Sequence, residues 1–593
     1  MEERKIFNGA EFIITDVKPE DVFTPEDFTK EHKMVLKATV DFVKKELSDN
    51  ADEIEEKVEK NVREWFKTTG DLGLNGIDIS EDIGGEGMDK VSACLVAEGM
   101  AGAPSFVVSH VCHTGIGSLP IVLFGNDEQK KKYIPKLASG EYIGAYCLTE
   151  SGAGSDAMNA ATTAKLSDDG KFYILNGEKI FITNGAWADV LTVFAKVDGE
   201  HFTGFIVEKG FEGFSVGSEE KKLGIKGSST VSVILRDCMV PVENVLYEIG
   251  QGHKIAFNVL NIGRYKLGAS TMGGAKSALA TAVKYANQRE QFGKKISSFG
   301  MIKTKLAEMS ISTYISEALV YRLAAAIEDK MGLLDDEAKK SGSEIAKSIE
   351  EYSIECAIVK VFCSESLDFV VDELVQIYGG NGFIAEYPAE RAYRDSRINR
   401  IFEGTNEINR LVITGNLLKN VMKNKLDLFT AINKAAEEIK SYEPSSIDYN
   451  NLLAPEENIL KMCKNIFLTV AGSVANNILE TLSEEQEIIS MMADLIIEIY
   501  AIECGMLRAR KCLKSKGEKK AELHIAAVKV YLAETLPKVV KYAKQIMAFI
   551  EKDDVLDEQF KTIDTLSYYK IGNIVELKRK IADKVIKGNK YPF

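Results

Sequence analysis

The chain has 593 residues, 45% of them apolar, and 74 Lys+Arg against 89 Asp+Glu give it a net charge of −15. That length accommodates roughly three to five domains of about 100–200 residues each. The acidic balance argues against a general binder of nucleic acid or membrane surfaces, both polyanionic, and no run approaches ~18 uninterrupted apolar residues, as a spanning helix requires.

The N-terminal residues Met1-Glu2-Glu3-Arg4-Lys5 mix both charges and lead into no apolar segment, so neither a secretory signal nor a mitochondrial transit peptide is expected. Only 11 prolines favour long helices. From about 26 to 137 apolar residues recur at helical spacing, as in Met34, Val35, Ala38 and Phe42. His110, Cys112 and His113 resemble a metal cluster but lack further ligands, which favours a helix turn with part-buried imidazoles. The pattern then turns β-rich. Asn176-Gly177 between 172–175 and 180–183, and Asp198-Gly199 between Val190–Val197 and 202–208, each predict a hairpin. A strand at 230–235 and a turn before Pro241 close this segment.

Helical spacing returns at Gly252 and runs to about Asn420. Glu443-Pro444-Ser445-Ser446 and Ala454-Pro455 break it between 441 and 455. A last helical block follows, in which 488–507 is apolar on most faces apart from Asp494 and Glu498, as a helix buried in a bundle or against another subunit would be. The basic stretch 508–520 reads either as a partner site or as a solvated helix end, with the latter favoured. The nine cysteines are scattered and never form CxxC, which fits reduced, mostly buried thiols and a cytoplasmic location. The fold class is mainly α with a central β domain, divided at 1–145, 146–250, 251–420 and 421–593.

Two segments carry candidate chemistry. The loop 146–156, YCLTESGAGSD, is dense in small residues whose N–H groups and hydroxyls can cradle a pyrophosphate, although a tight turn would use the same residues. It is not GxGxxG and no parallel βαβ unit surrounds it, which excludes a Rossmann site. In the second segment Glu403 lies between Phe402 and Gly404, just before Thr405 could cap a helix. An aromatic neighbour can desolvate such a carboxylate and raise its pKa from about 4.3 toward neutrality, as a general base requires. A glutamate favourably placed at a helix N-terminus is the plain alternative.

Six ordered motifs give these segments a context: YCLTESGAGSD at 146–156, IFITNG at 180–185, LNIGR at 260–264, REQFG at 289–293, QIYGGNGF at 376–383 and IFEGTNEI at 401–408. Together they resemble the acyl-CoA dehydrogenase family, and most closely its very-long-chain type, which also has an extra C-terminal helical domain. The resemblance implies bound FAD and desaturation of a long- or very-long-chain fatty acyl-CoA to the trans-2-enoyl-CoA, with electrons passed to an electron-transferring flavoprotein. Glu403 would be the base, and its backbone N–H would bind the thioester carbonyl. An acyl-CoA oxidase using O2 and a non-catalytic helical scaffold are the alternatives.

By motif, Tyr146, Leu148, Thr149, Gly154, Ser155, Phe181 and Thr183 would contact FAD, with Ser155 also near the CoA ester. Phe181 stands where many relatives have Trp. Arg289, Phe292, Gln376, Gly379 and Gly380 would reach the FAD of a neighbouring subunit, which implies a homodimer, and Thr405 and Glu407 would meet the nucleotide end. Asn261 and Arg264 would contact the CoA portion, with Phe402 and Gly404 at the thioester. Some relatives carry their base just before that arginine, where this chain has Gly263. Val108, Ser109 and Cys112 would line the deep end of the acyl pocket. No metal is expected. Residues Leu428, Ile432, Ala436 and Ile439 have the spacing of one helix face, for membrane contact or, preferentially, core packing.

Overall fold

The computed structural model describes residues 4–48, 51–103, 105–444 and 447–593; residues 1–3 of the N-terminus, and Ser445 and Ser446 of the expected break, lie outside the described residues. An extended strap with short turns at Glu11–Ile13, Pro19–Asp21 and Pro25–Asp27 leads into helices α1 (Lys30–Phe42), α2 (Glu59–Asp71) and α3 (Lys90–Met100). In α1 the inward face is Val35, Leu36, Thr39 and Phe42; Met34, expected on that face, is exposed. The segment Phe106–Phe124 is long and apolar enough, by length and composition, to cross a membrane, contrary to the expectation. Its apolar character serves the interior instead, for 67% of it is buried within the protein. His110 and His113 are fully buried rather than part-buried, bonded to Asn75 and to the Leu137 carbonyl.

The central sheet has eight strands: β1 (Gly144–Cys147), β2 (Thr163–Leu166), β3 (Phe172–Thr183), β4 (Val190–Val197), β5 (His201–Glu208), β6 (Phe214–Val216), β7 (Thr230–Pro241) and β8 (Val245–Leu246). They run in the order β6-β7-β3-β2-β4-β5-β8, with β1 parallel to β4. Asp198 and Gly199, both at positive φ, make the expected β4–β5 hairpin. Asn176-Gly177 does not form a hairpin. It lies inside the single strand β3, where the register against β7 shifts between Leu175 and Gly177. The dipeptide serves a β-bulge: Asn176 and Asp237 bond across the two strands, and the Asp237 N–H donates to Asn176 Oδ1 at 2.8 Å. No turn precedes Pro241 either, because β7 runs through Asp237 to its end.

Long helices follow: α4 (Gly252–Gln288), α5 (Gly300–Gly332) and α6 (Ser353–Tyr378), which pack on one another, α4 and α5 also on α3, then α7 (Asn406–Met422) against α6. The C-terminal part adds α8 (Leu428–Lys440), α9 (Ala454–Asn477), α10 (Gln486–Lys516), α11 (Glu518–Ile550) and α12 (Ile574–Gly588). The apolar α10 is buried against α5, α7 and α11, and its Asp494 and Glu498 are partnered by Arg410 and Tyr531. In α8 the inward residues are Leu428, Ile432, Ala435 and Ile439, packed on α9, whereas Ala436 is exposed. Of the basic stretch 508–520, residues 514–520 are the expected solvated helix end and loop, but Arg508 and Lys511 are drawn into the protein. Arg508 is 1% exposed and clamps Glu26, Lys511 holds Asp27 and the Val22 carbonyl, and Lys514 reaches Glu20. These cations fasten the N-terminal strap to the C-terminal helices.

Candidate functional site

Glu403 sits on the turn between the short helical segment Arg397–Arg400 and α7, where Thr405 caps α7 by accepting the Ile408 N–H at 3.2 Å. Glu403 has φ +58° and Gly404 φ +80°, so two successive residues occupy the left-handed region, the first of them without the freedom of glycine. The strain is held by side chains from three helices. Arg264 of α4 donates to the Glu403 carbonyl, Lys360 of α6 to the Gly404 carbonyl at 2.8 Å, and Asn409 of α7 to the carbonyls of residues 403, 404 and 405. The Glu403 N–H, by contrast, has no protein acceptor among the described residues.

Glu403 is half-buried as a residue, but its Oε2 is buried and has no hydrogen-bond partner. Burial pushes its pKa up to about 7 against the pull of Arg264 and Lys360. The carboxyl lies over Gly263 of α4. A Cβ at Gly263 would overlap Oε2 and stand 2.8 Å from the carboxyl carbon, so the glycine makes the room the base occupies. Asn261 and Arg264 share that helix face and bond each other at 3.0 Å. Both are nearly fully buried beside the base, so Asn261 is not a solvated residue.

The glycine loop begins at the end of β1. Tyr146 and Leu148 are buried, and the charge of Glu403 helps raise the Tyr146 hydroxyl, whose shift is dominated by burial. Gly154 and Ser155 are exposed, and a Cβ on Gly152 or Gly154 would meet nothing within 4 Å. Glu150 anchors the loop. It accepts from Ala161 N–H at 2.6 Å, from Thr162, and from Lys179 at 2.6 Å. Across the loop, the Thr149 carbonyl accepts the Ile180 N–H, which ties it to β3. There a second register shift, between Lys179 and Ile182, turns Phe181 outward with φ +58° and 60% exposure. Thr183 lies beside Cys112, whose thiol burial and the charge of Glu403 push up to about 12. Cys112 and Val108, one helical turn apart, are partly exposed beside the buried Ser109. The residues expected to hold FAD thus fit that group: an open small-residue loop, an aromatic ring presented outward and a desolvated carboxyl converge on one region.

Arg289, Phe292, Gln376, Gly379 and Gly380 gather elsewhere, at the far ends of α4 and α6. Stacking of Tyr285 on Tyr378, with ring centroids 3.9 Å apart, joins these ends. All five residues are exposed, Phe292 by 93%, and residues 379–382 form the short turn after α6. Thr405 and Glu407 flank the start of α7, with Glu407 exposed and Phe402 half-buried. Sequence reasoning missed Lys360, Asn409 and the Glu150–Lys179 pair. Glu150 stood inside a quoted motif, whereas Lys360 lies in an apolar helix with no signal around it.

Domain models of the acyl-CoA dehydrogenase family match most of the chain: the N-terminal domain at 29–141, the middle domain at 145–238, and C-terminal domains at 250–418 and 462–564. A probable acyl-CoA dehydrogenase of Bacillus subtilis is 46% identical over 98% of both chains. The mitochondrial very long-chain specific acyl-CoA dehydrogenase of Rattus norvegicus is 34% identical over 87% of this chain and 79% of its own. The crystal structure of an acyl-CoA dehydrogenase complexed with FAD from Bacillus anthracis superposes with TM-score 0.97 and 47% identity, over 99% of this chain and 100% of that one.

Proposed function

Because the chain belongs to the acyl-CoA dehydrogenase family, we propose that it desaturates long- or very-long-chain fatty acyl-CoA at Cα–Cβ to the trans-2-enoyl-CoA, with Glu403 as the base. The observation that carries this reading is the buried, unpartnered Oε2 of Glu403 on a turn held by three helices. A thioester α-proton is too weakly acidic for an ordinary carboxylate, so the base must be desolvated and the developing enolate stabilised. Burial raises Glu403 to about 7, which matches it to proton transfer near neutral pH. The free Glu403 N–H would donate to the thioester oxygen as negative charge grows there, while its own carbonyl stays fixed by Arg264 and Asn409. Gly404 lets the thioester approach this turn without a Cβ in the way.

FAD, when bound, supplies the acceptor for the β-hydrogen and its electron pair. Tyr146, Leu148, Thr149, Gly154, Ser155, Phe181 and Thr183 would hold its ring and pyrophosphate. The exposed group Arg289, Phe292, Gln376, Gly379 and Gly380 would complete the site of a second copy in a homodimer, with Thr405 and Glu407 at the nucleotide end. The small residues Val108, Ser109 and Cys112 near the base support a long acyl channel, and the similarity to very-long-chain relatives supports the same preference. Electron-transferring flavoprotein would be the acceptor. Nine unpaired cysteines, eight of them buried, support a reducing, cytoplasmic setting.

Anaerobic bleaching of the FAD-loaded protein by acyl-CoAs of increasing length tests this. Bleaching should be fastest with long chains. A maximum at butyryl-CoA would refute the chain-length preference, no bleaching by any acyl-CoA would refute the reaction, and rapid peroxide formation under air would favour the oxidase.

A further inference from the structure

Lys360 has no part in the chemistry so far, yet it is buried beside the base with none of its surface exposed. It lies in the middle of α6, among Cys356, Cys363 and Ser364. Burying an ammonium costs several kcal/mol unless an opposite charge meets it. The chain's other fully buried lysine near the site, Lys179, has such a partner in Glu150 at 2.6 Å. Lys360 has no carboxylate at ion-pair distance among the described residues. Its Nζ donates instead to the Gly404 carbonyl at 2.8 Å and to Asn406 Oδ1 at 2.7 Å. Asn406 is held in that orientation from its other side, since its Nδ2 donates to Ser364 Oγ and to Glu365 Oε1 at 3.0 Å. The arrangement fixes the lysine under the 403–404 turn while leaving its charge uncompensated by direct contact.

We propose that Lys360 is a positioning residue for Glu403: its ammonium holds the left-handed 403–404 turn by the Gly404 carbonyl and supplies positive charge that favours the carboxylate form of the base. This rests on the reading of Glu403 as the base. The charged groups facing Lys360 are Glu403 on the turn, Arg264 from α4, Glu407 from the start of α7 and Glu365 on its own helix. Burial lowers Lys360 to about 7, with Glu403 opposing the shift and Arg264 adding to it. Of these neighbours Glu403 is the carboxylate acting most strongly on the lysine, and Lys360 in turn pulls Glu403 down.

The test is the pH dependence of anaerobic flavin bleaching by palmitoyl-CoA, followed in the FAD-loaded full-length protein and in Lys360→Met, Lys360→Arg and Glu403→Gln. Lys360→Met should slow bleaching by on the order of 10–100-fold through misplacement of the base. It should also move the midpoint of the rising limb up by about one pH unit, because a favourable charge is lost. Lys360→Arg, which keeps the charge, should leave the midpoint at or below the wild-type value. A wild-type midpoint in Lys360→Met, or an upward shift in Lys360→Arg, would overturn the proposal. If Lys360→Met yields no flavin-loaded protein, Lys360→Gln replaces it with the same two outcomes. Failure of both neutral variants to fold would make the lysine purely structural and overturn the proposal as well. Normal bleaching by Glu403→Gln would instead remove the base assignment itself, whatever Lys360 does.

Discussion

Two clusters of buried charge in this chain behave in opposite ways. Where the N-terminal strap meets the C-terminal helices, Arg508 contacts Glu317 at 2.6 Å and Glu26 at 3.1 Å, Lys276 meets Glu98 at 2.7 Å, and Arg322 meets Glu503 at 2.8 Å. Burial would lift the Glu317 pKa, but Arg508 and Lys276 overcome it and hold the carboxylate well below its usual range. At the site, Glu403, Lys360 and Arg264 are buried together without one ion pair at contact distance among the described residues. Burial wins there: Glu403 rises to about 7, Lys360 falls to about 7 and Arg264 falls as well. Direct pairing locks protonation and secures the fold. Near neighbours that stop short of pairing leave a proton free to move at neutral pH.

The contrast can be broken from either side. The largest effect should come from Arg508→Met, which leaves Glu317 and Glu26 buried without their shared partner. A loss of about 3–5 kcal/mol is expected in denaturant or thermal melts, while the pH midpoint of bleaching in the remaining folded protein stays unchanged. A shifted midpoint would show that the two clusters are coupled.

Next comes the pH dependence of stability. The folded pKa of Glu403 lies above its ordinary value of 4.5, so the folded state keeps a proton that the unfolded chain releases. Stability is therefore undiminished below about 4.5 and falls as pH rises toward and through about 7, where it levels off, by roughly 3 kcal/mol from this group. Glu403→Gln should remove that fall, so that its melting temperature exceeds wild type at pH 8 but not at pH 4. Equal differences at both pH values would contradict the raised pKa.

Gly263→Ala should then displace the carboxyl, because the added methyl overlaps Oε2. A drop of about 10²-fold in bleaching is expected with FAD content retained; unchanged rates would mean that the base tolerates another position. The smallest effect belongs to Lys511→Ala, at the partly exposed rim of the paired cluster, where ~1 kcal/mol or less should be lost.

Much of this was legible in the sequence, and the misses share a cause. Asp198-Gly199 announced its hairpin because both turn residues and both strands are local. Asn176-Gly177 looked the same but answers to Asp237, 61 residues away, and so makes a bulge. The basic stretch 508–520 is the expected solvated end only from Lys514 on; Arg508 and Lys511 are not, because their partners Glu26 and Asp27 lie at the other end of the chain. Glu403 was visible through its aromatic and glycine neighbours. Lys360 was not, since one lysine in an apolar helix carries no sign of which carbonyl it will meet. The net charge of −15 was a poor guide as well, for the local field at the site comes from two unpaired cations.

The central claim is that Glu403 removes the α-proton as a base poised near neutrality. The most direct measurement is the anaerobic bleaching rate of wild type and Glu403→Gln with one long-chain acyl-CoA across pH 5.5–9. The account predicts a wild-type rate rising through a midpoint near 7 and a loss of at least ~10²-fold in Glu403→Gln, with FAD and acyl-CoA still bound. Near-normal bleaching in Glu403→Gln would contradict it.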